Sequence, residues 1–187
     1  MPRIIALLFA ALLPLSAAAL QKGDALPELY LTDKGELTLD AKQEIVYVPW
    51  STENLDTQGQ VQIIQYMAAR PSAEKAIRPF TDKLEETAYP VELHHVTTVV
   101  NLDDVTFGAS GWALSELEKN KREYPMSTMV ADMEGKGLKT WGFEPKGSAL
   151  IVLDADGKIL YVKDGKLKKD EIDAVIKLIG EEVGKRS

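Results

Sequence analysis

The sequence predicts a single α/β domain in which helices flank a central mixed sheet. Short apolar runs rich in β-branched residues alternate along the chain with longer segments of helical periodicity. Two such runs near the end, joined by a short turn, predict an antiparallel hairpin, and an amphipathic helix follows them. The chain of 187 residues is long enough for one domain with its own hydrophobic core.

The first 19 residues have the order of residues found in a signal peptide. Arg3 precedes the uninterrupted apolar run 4–13, and small residues follow it. Ala17 and Ala19 satisfy the small-x-small rule, so we expect cleavage after Ala19 and a domain comprising residues 20–187. The run is about half the ~20 residues needed to cross a bilayer, which disfavours a membrane anchor. A lipoprotein would need a cysteine, and the chain has none.

The charge and the lack of cysteine exclude several functions. Removing Arg3 leaves 21 basic against 29 acidic residues, a formal charge of −8, which is unsuited to nucleic-acid binding. Without a thiol, the chain can neither attack through sulfur nor exchange disulfides. Two small basic clusters are predicted to be solvated helix ends; they are Lys119-Lys121-Arg122 and Lys166-Lys168-Lys169.

The pattern predicts particular helices and strands. A turn is expected at Asp33-Lys34-Gly35, and Ser72 is expected to cap the first helix. Helices are predicted over 72–87, 112–124 and 169–183. Strands are predicted over residues 37–39, 45–48, 61–66, 93–101, 128–131, 149–153 and 158–162.

Two segments resemble parts of thioredoxin-like exported proteins. Residues 59–69 resemble the strand that leads into the Cys-x-x-Cys site, and residues 148–159 resemble the final hairpin. In that match the two cysteine positions fall on Pro71 and Glu74, and Pro79 falls where thioredoxins carry a helix-kinking proline. Ser148 takes the position of the cis-proline that opens the hairpin.

A second resemblance spans nearly the whole chain after the signal peptide. It rests on the order of Arg70, Ser72-Ala73, residues 100–104, Leu117-Glu118, Asn120-Lys121, Tyr124-Pro125, Trp141, Ser148-Ala149 and residues 163–167. This order resembles that of the YtfJ-like family of bacterial periplasmic proteins. The resemblance implies a thioredoxin-like sandwich in the periplasm and supplies no catalytic residue.

The resemblance implies a candidate binding site where the thioredoxin thiols would lie. It comprises Arg70, Pro71, Ser72, Glu74 and Ser148, because the first-helix N-terminus and the hairpin loop face each other in that fold. Unpaired helix amides and the Arg70 cation would attract an extended or acidic segment of a partner. Alternatively, Arg70 forms a structural salt bridge and the surface is inert.

Other candidate sites are weaker. Asp103 and Asp104, in the loop 101–111, could bind a cation, or one of them could cap the loop. His94 and His95 are adjacent on a strand and point to opposite faces, which argues against a hydrolase. Residues 154–165 depart from the EF-hand pattern and predict a hairpin turn. The three tryptophans, Trp50, Trp112 and Trp141, are interpreted as packing residues more readily than as a ligand platform.

Three functions therefore remain open at this level. The first is a non-redox interaction module that binds a periplasmic protein or peptide. The second is a metal-dependent or other enzyme that uses the loop 101–111. The third is an envelope stress factor or weak chaperone. No cofactor, metal, nucleic acid or stable membrane insertion is expected.

Overall fold

The computed structural model describes residues 20–55, 59–105 and 109–186, so the predicted signal peptide lies outside the described residues. No helix within these ranges is long and apolar enough to cross a membrane. The elements follow in the order β1 (Tyr30–Leu39), β2 (Ile45–Ser51), β3 (Val61–Ala68), α1 (Pro71–Thr87), β4 (His94–Asn101), α2 (Ser110–Glu123), β5 (Thr128–Asp132), α3 (Lys136–Trp141), β6 (Ser148–Leu153), β7 (Ile159–Asp164) and α4 (Lys169–Gly184).

The seven strands form one mixed sheet in the order β2-β1-β5-β4-β3-β6-β7. Strands β3, β4 and β5 are parallel to one another, and the other neighbours are antiparallel. Apolar side chains on one face pack against α1, α2 and α4, whereas the opposite face packs against α3 and the segment before β1. The predicted α/β class, with helices flanking a central mixed sheet, is confirmed.

The predicted turn at Asp33-Lys34-Gly35 is wrong, because β1 runs through these residues. Lys34 and Gly35 take left-handed φ angles of 65° and 69°, and the pairing of β1 with β2 is irregular between Leu31 and Glu36. A Cβ atom at Gly35 would overlap the carbonyl oxygen of Val48. The turn-like residues therefore make a bulge inside a longer strand instead of ending it.

Helix α3 is absent from the sequence prediction, because six residues give too little periodicity to recognise. Glycines in the left-handed conformation bound it at both ends, at Gly135 and Gly142. Its interior Gly137 is fully packed, and a Cβ there would overlap the ring of Tyr66. Helix α3 thus owes its place to tertiary contacts and not to local propensity.

One of the basic residues predicted to be solvated is buried. The Lys121 ammonium donates to the carbonyl oxygens of Pro125 at 3.0 Å and Ser127 at 2.8 Å, just beyond the end of α2. These carbonyls have no helical donor, so a lysine in the last turn can satisfy them. Burial lowers the pKa of the Lys121 amine, and the charge of Glu36 opposes that shift. The remaining predicted cationic residues are exposed; they are Lys119, Arg122, Lys166, Lys168 and Lys169.

Candidate functional site

The N-terminus of α1 holds the first residues of the candidate site. Arg70 is the N-cap, in an extended conformation, and Pro71 is the first helical residue, a position at which its missing N–H is not needed. The Arg70 carbonyl accepts the amides of Ala73 at 3.1 Å and Glu74 at 3.2 Å. The predicted cap at Ser72 is therefore wrong, because Ser72 is already the second residue of the helix and is exposed.

Arg70 and Asp104 bring the two candidate sites of the sequence together. The Arg70 Nε donates to the Asp104 carbonyl at 2.9 Å, and Nη2 lies 3.2 Å from Asp104 Oδ1. The second oxygen of Asp104 accepts the backbone amide of Lys146, which lies just before β6. With only 25% and 13% of the two side chains exposed, the pair joins the start of α1, the loop after β4 and the loop before β6. Arg70 is thus already paired, as in the salt-bridge alternative.

The loop after β4 is capped by Asn101, and not by either aspartate. Asn101 is buried, and its Oδ1 accepts the amides of Asp103 at 3.0 Å and Asp104 at 3.2 Å. Asp103 is exposed, whereas Asp104 is committed to Arg70 and Lys146. Residues 106–108 of the loop lie outside the described residues. In the described ranges no group of three or more acidic or histidine side chains could hold a metal ion.

Ser148 opens β6 next to this bridge. It pairs with Met67 of β3, and its carbonyl accepts the Gly165 amide at 2.8 Å. Residues of β6 alternate between faces, so Ser148 shares the face of Leu150, which packs against α1 and α4. Ser148 is 2% exposed, and within the described residues its Oγ has no hydrogen-bond partner. Where thioredoxins carry a proline, this chain therefore has a buried hydroxyl.

The two histidines and two of the three tryptophans occupy structural positions. His94 Nδ1 lies 3.0 Å from the Pro90 carbonyl, and His95 Nε2 lies 2.8 Å from Thr128 Oγ1, which links β4 to β5. Burial lowers the pKa of His95, and nearby positive charge lowers it further. Trp50 and Trp141 are core residues, as interpreted, but the interpretation as a packing residue is wrong for Trp112, which is 62% exposed, and the three do not form one platform.

In the turn before β7 the carboxylate of Asp154 accepts hydrogen bonds from the backbone of the turn itself, as predicted for a hairpin. Asp154 Oδ1 accepts the amides of Asp156 and Lys158, each at 2.9 Å. The first acidic ligand of an EF-hand pattern is therefore used by the backbone of the turn.

The sequence analysis missed a buried polar cluster on the α3 face of the sheet. Asp132 is fully buried at the end of β5, and its carboxylate accepts the amides of Lys136 at 2.9 Å and Gly137 at 2.8 Å. Tyr66 also donates its hydroxyl to Asp132 at 3.2 Å and accepts the Leu138 amide at 2.8 Å. Burial and the Asp132 charge raise the pKa of Tyr66, so its hydroxyl stays protonated. An aspartate ending an apolar strand three residues before a glycine was the available signal.

The architecture defines a thioredoxin-like domain. It matches the thioredoxin domain of a thiol-disulfide oxidoreductase from Bacteroides vulgatus with a TM-score of 0.53 and 18% identity, over 86% of this chain and 99% of that one. It also matches the thiol peroxidase from Chromobacterium violaceum with a TM-score of 0.55 and 13% identity, over 88% and 89% of the two chains. At such identities the likeness establishes the fold alone.

The family follows from sequence. The chain belongs to the family described as "Bacterial protein of unknown function (YtfJ_HI0045)", whose model matches residues 20–182. It is 35% identical over 170 residues to the "Uncharacterized protein YtfJ" of Escherichia coli (strain K12), covering 90% of this chain and 91% of that protein. The predicted YtfJ-like family and thioredoxin-like fold are both confirmed.

Proposed function

We propose that this protein is exported to the periplasm and acts there as a non-redox binding module. The residues around the start of α1 are its docking site for an extended segment of another protein. The observation that carries the proposal is the bridge from Arg70 through Asp104 to the Lys146 amide. The bridge fixes the three segments around the positions that match the thioredoxin cysteines, and none of the bridging residues is a reactive group.

The polar groups left at this surface favour binding over chemistry. Glu74, at one thiol position, is exposed and paired with Arg78, so it is not poised as a base. Ser72 supplies an exposed hydroxyl and the first N–H of α1, whereas the Ser148 hydroxyl at the start of β6 is buried. Because Asp104 neutralises Arg70, we expect the bound segment to be recognised through hydrogen bonds instead of negative charge.

The non-redox part of the proposal predicts no disulfide reductase, oxidase or peroxidase activity. The positions that match the thioredoxin cysteines carry Pro71 and Glu74, and neither side chain can form a thiolate. Insulin reduction and peroxide consumption should proceed at the buffer rate, with an active thioredoxin as the positive control. A rate above buffer in metal-free samples would contradict the proposal.

The docking site can be tested with matched serine substitutions. Ser72→Arg places a bulky cation at the start of α1, whereas Ser115→Arg makes the same change at an exposed position of α2. We expect Ser72→Arg to reduce recovery of partners from periplasmic extract about tenfold, the effect of losing roughly 1.4 kcal/mol of binding free energy, with unchanged melting. Ser115→Arg should leave recovery unchanged.

The result also separates the alternative functions. If Ser72→Arg keeps every partner, the start of α1 is not the docking site and the loop 101–111 becomes the next candidate. A weak chaperone would instead recover many unrelated proteins, and neither substitution would change that set.

A further inference from the structure

A surface groove lined by lysines lies between α1 and the start of α4, away from the Arg70 bridge. Its volume is about 750 Å³, within the range of ligand-binding clefts. The apolar residues of the lining form the floor of the groove, and the charged residues of the lining are four lysines and one aspartate. The lining residues are Pro79, Lys83, Lys166, Leu167, Lys168, Lys169, Ile172 and Asp173.

Three of the four lysines of the groove have no ion-pair partner among the described residues. In the part of the chain that the structure describes, no ion pair involves Lys166, Lys168 or Lys169. Lys83 has an ion-pair partner, Glu86, at 3.2 Å. In a chain with an excess of acidic residues, the lining of this groove thus carries four lysines and one aspartate.

Two of the acidic residues close in sequence to these lysines, Asp164 and Glu171, are engaged by other groups, whereas Asp170 and Asp173 are exposed. Glu171, in the first turn of α4, receives Lys163 Nζ at 2.9 Å on one oxygen and the Lys168 amide at 2.7 Å on the other. Asp164, at the end of β7, accepts the Glu144 amide at 2.9 Å. Glu171 is therefore held by Lys163 and by the backbone of Lys168, Asp164 is held by the backbone of Glu144, and among the described residues neither carboxylate forms an ion pair with Lys166, Lys168 or Lys169.

We propose that this groove binds an extended, acidic segment of a partner protein, with acidic side chains on the lysines and aliphatic side chains on the floor. The two walls belong to different elements, because Lys83 comes from α1 and Lys169 from α4. An extended peptide points successive side chains to opposite sides, so alternating acidic and aliphatic residues can meet both the lysines and the floor. The proposal goes beyond the docking site at Ser72 and does not depend on it.

The test uses a fluorescein-labelled peptide of alternating Glu and Leu, with fluorescence anisotropy as the readout. The variant Lys166→Gln/Lys168→Gln/Lys169→Gln should bind it about tenfold more weakly than the wild type, since each exposed ion pair contributes modestly. The matched control Lys22→Gln/Lys42→Gln/Lys158→Gln removes the same charge from exposed lysines outside the groove and should bind within about twofold of the wild type.

A second variant tests the groove in the opposite direction. Asp173→Asn removes the single acidic residue of the lining and should tighten binding about twofold to threefold, with the effect fading at high salt. All substituted positions are exposed, so melting should be unchanged.

Several results would overturn the proposal. These are equal affinities of the groove variant and its lysine control, equal binding of a peptide with Gln in place of Glu, or lysine-dependent binding only to vesicles of phosphatidylcholine and phosphatidylglycerol. None of these measurements involves Ser72, so the groove and the docking site fail or succeed separately.

Discussion

Replacing Asp132 with Ala is expected to lower the free energy of unfolding by about 3–5 kcal/mol, because it removes a fully buried hydrogen-bond acceptor. The carboxylate accepts the amides of Lys136 and Gly137 and the hydroxyl of Tyr66, and it is fully buried. Its removal leaves these donors without an acceptor in a region that water does not reach. Urea unfolding should report this loss of free energy, and thermal unfolding should show a fall in Tm of about 6–20 °C.

Two controls isolate the buried acceptor. Asp103→Ala makes the same change at an exposed aspartate and should shift the free energy of unfolding by less than about 0.5 kcal/mol. Tyr66→Phe removes only the hydroxyl and should cost an intermediate amount, about 1–3 kcal/mol. If Asp132→Ala unfolds at the same urea concentration as Asp103→Ala, the cluster does not stabilise α3.

Lys121→Glu should destabilise the protein by a comparable amount, about 3–5 kcal/mol, because it places an unpaired carboxylate in a buried position. The new carboxylate would face the carbonyl oxygens of Pro125 and Ser127, which now accept bonds from the Lys121 ammonium. The charge of Glu36, which now attracts Lys121, would repel it. Thermal unfolding followed by circular dichroism is the measurement.

The control for Lys121→Glu lies in the same helix, α2. Lys119 is exposed and pairs with Glu116 at the surface, so Lys119→Glu should leave the melting temperature nearly unchanged. Lys121→Met keeps most of the aliphatic stem and should fall between the two. Equal melting of Lys119→Glu and Lys121→Glu would show that the burial of Lys121 has no energetic role.

The sequence predicted the elements whose periodicity matches their packing. In α4 the apolar stripe Ile172, Val175, Ile176 and Ile179 is buried as expected, and β3 is an interior strand. The prediction for β1 was too short because Lys34 and Gly35 are turn-forming residues, although the strand pairing continues on both sides of them. A local propensity cannot separate a bulge from a turn, because the two share the same backbone angles and differ only in the pairing partner.

For the candidate site, too, the sequence located individual residues but not the contacts between them. Family resemblance located Arg70, Ser72 and Ser148, but the contact between Arg70 and Asp104 joins residues 34 positions apart. The exposure of Lys119 and Arg122 was predicted correctly from their charge. The burial of Lys121 could not be predicted, because it depends on two carbonyl oxygens, those of Pro125 and Ser127, that only the folded turn brings together. Contacts between distant loops, or between a helix and the turn that follows it, leave no periodic pattern in a single sequence.

The bridge from Arg70 to Asp104 and Lys146 also bears on how such a protein evolves. Two substitutions, at Pro71 and Glu74, would be enough to write a Cys-x-x-Cys sequence at the start of α1. They would leave the neighbouring loops tied together by Asp104, and they would leave Ser148 where thioredoxins carry a proline. A Cys-x-x-Cys sequence alone would therefore be placed among surroundings that differ from those of a thioredoxin site, because the Asp104 bridge and the buried Ser148 would remain.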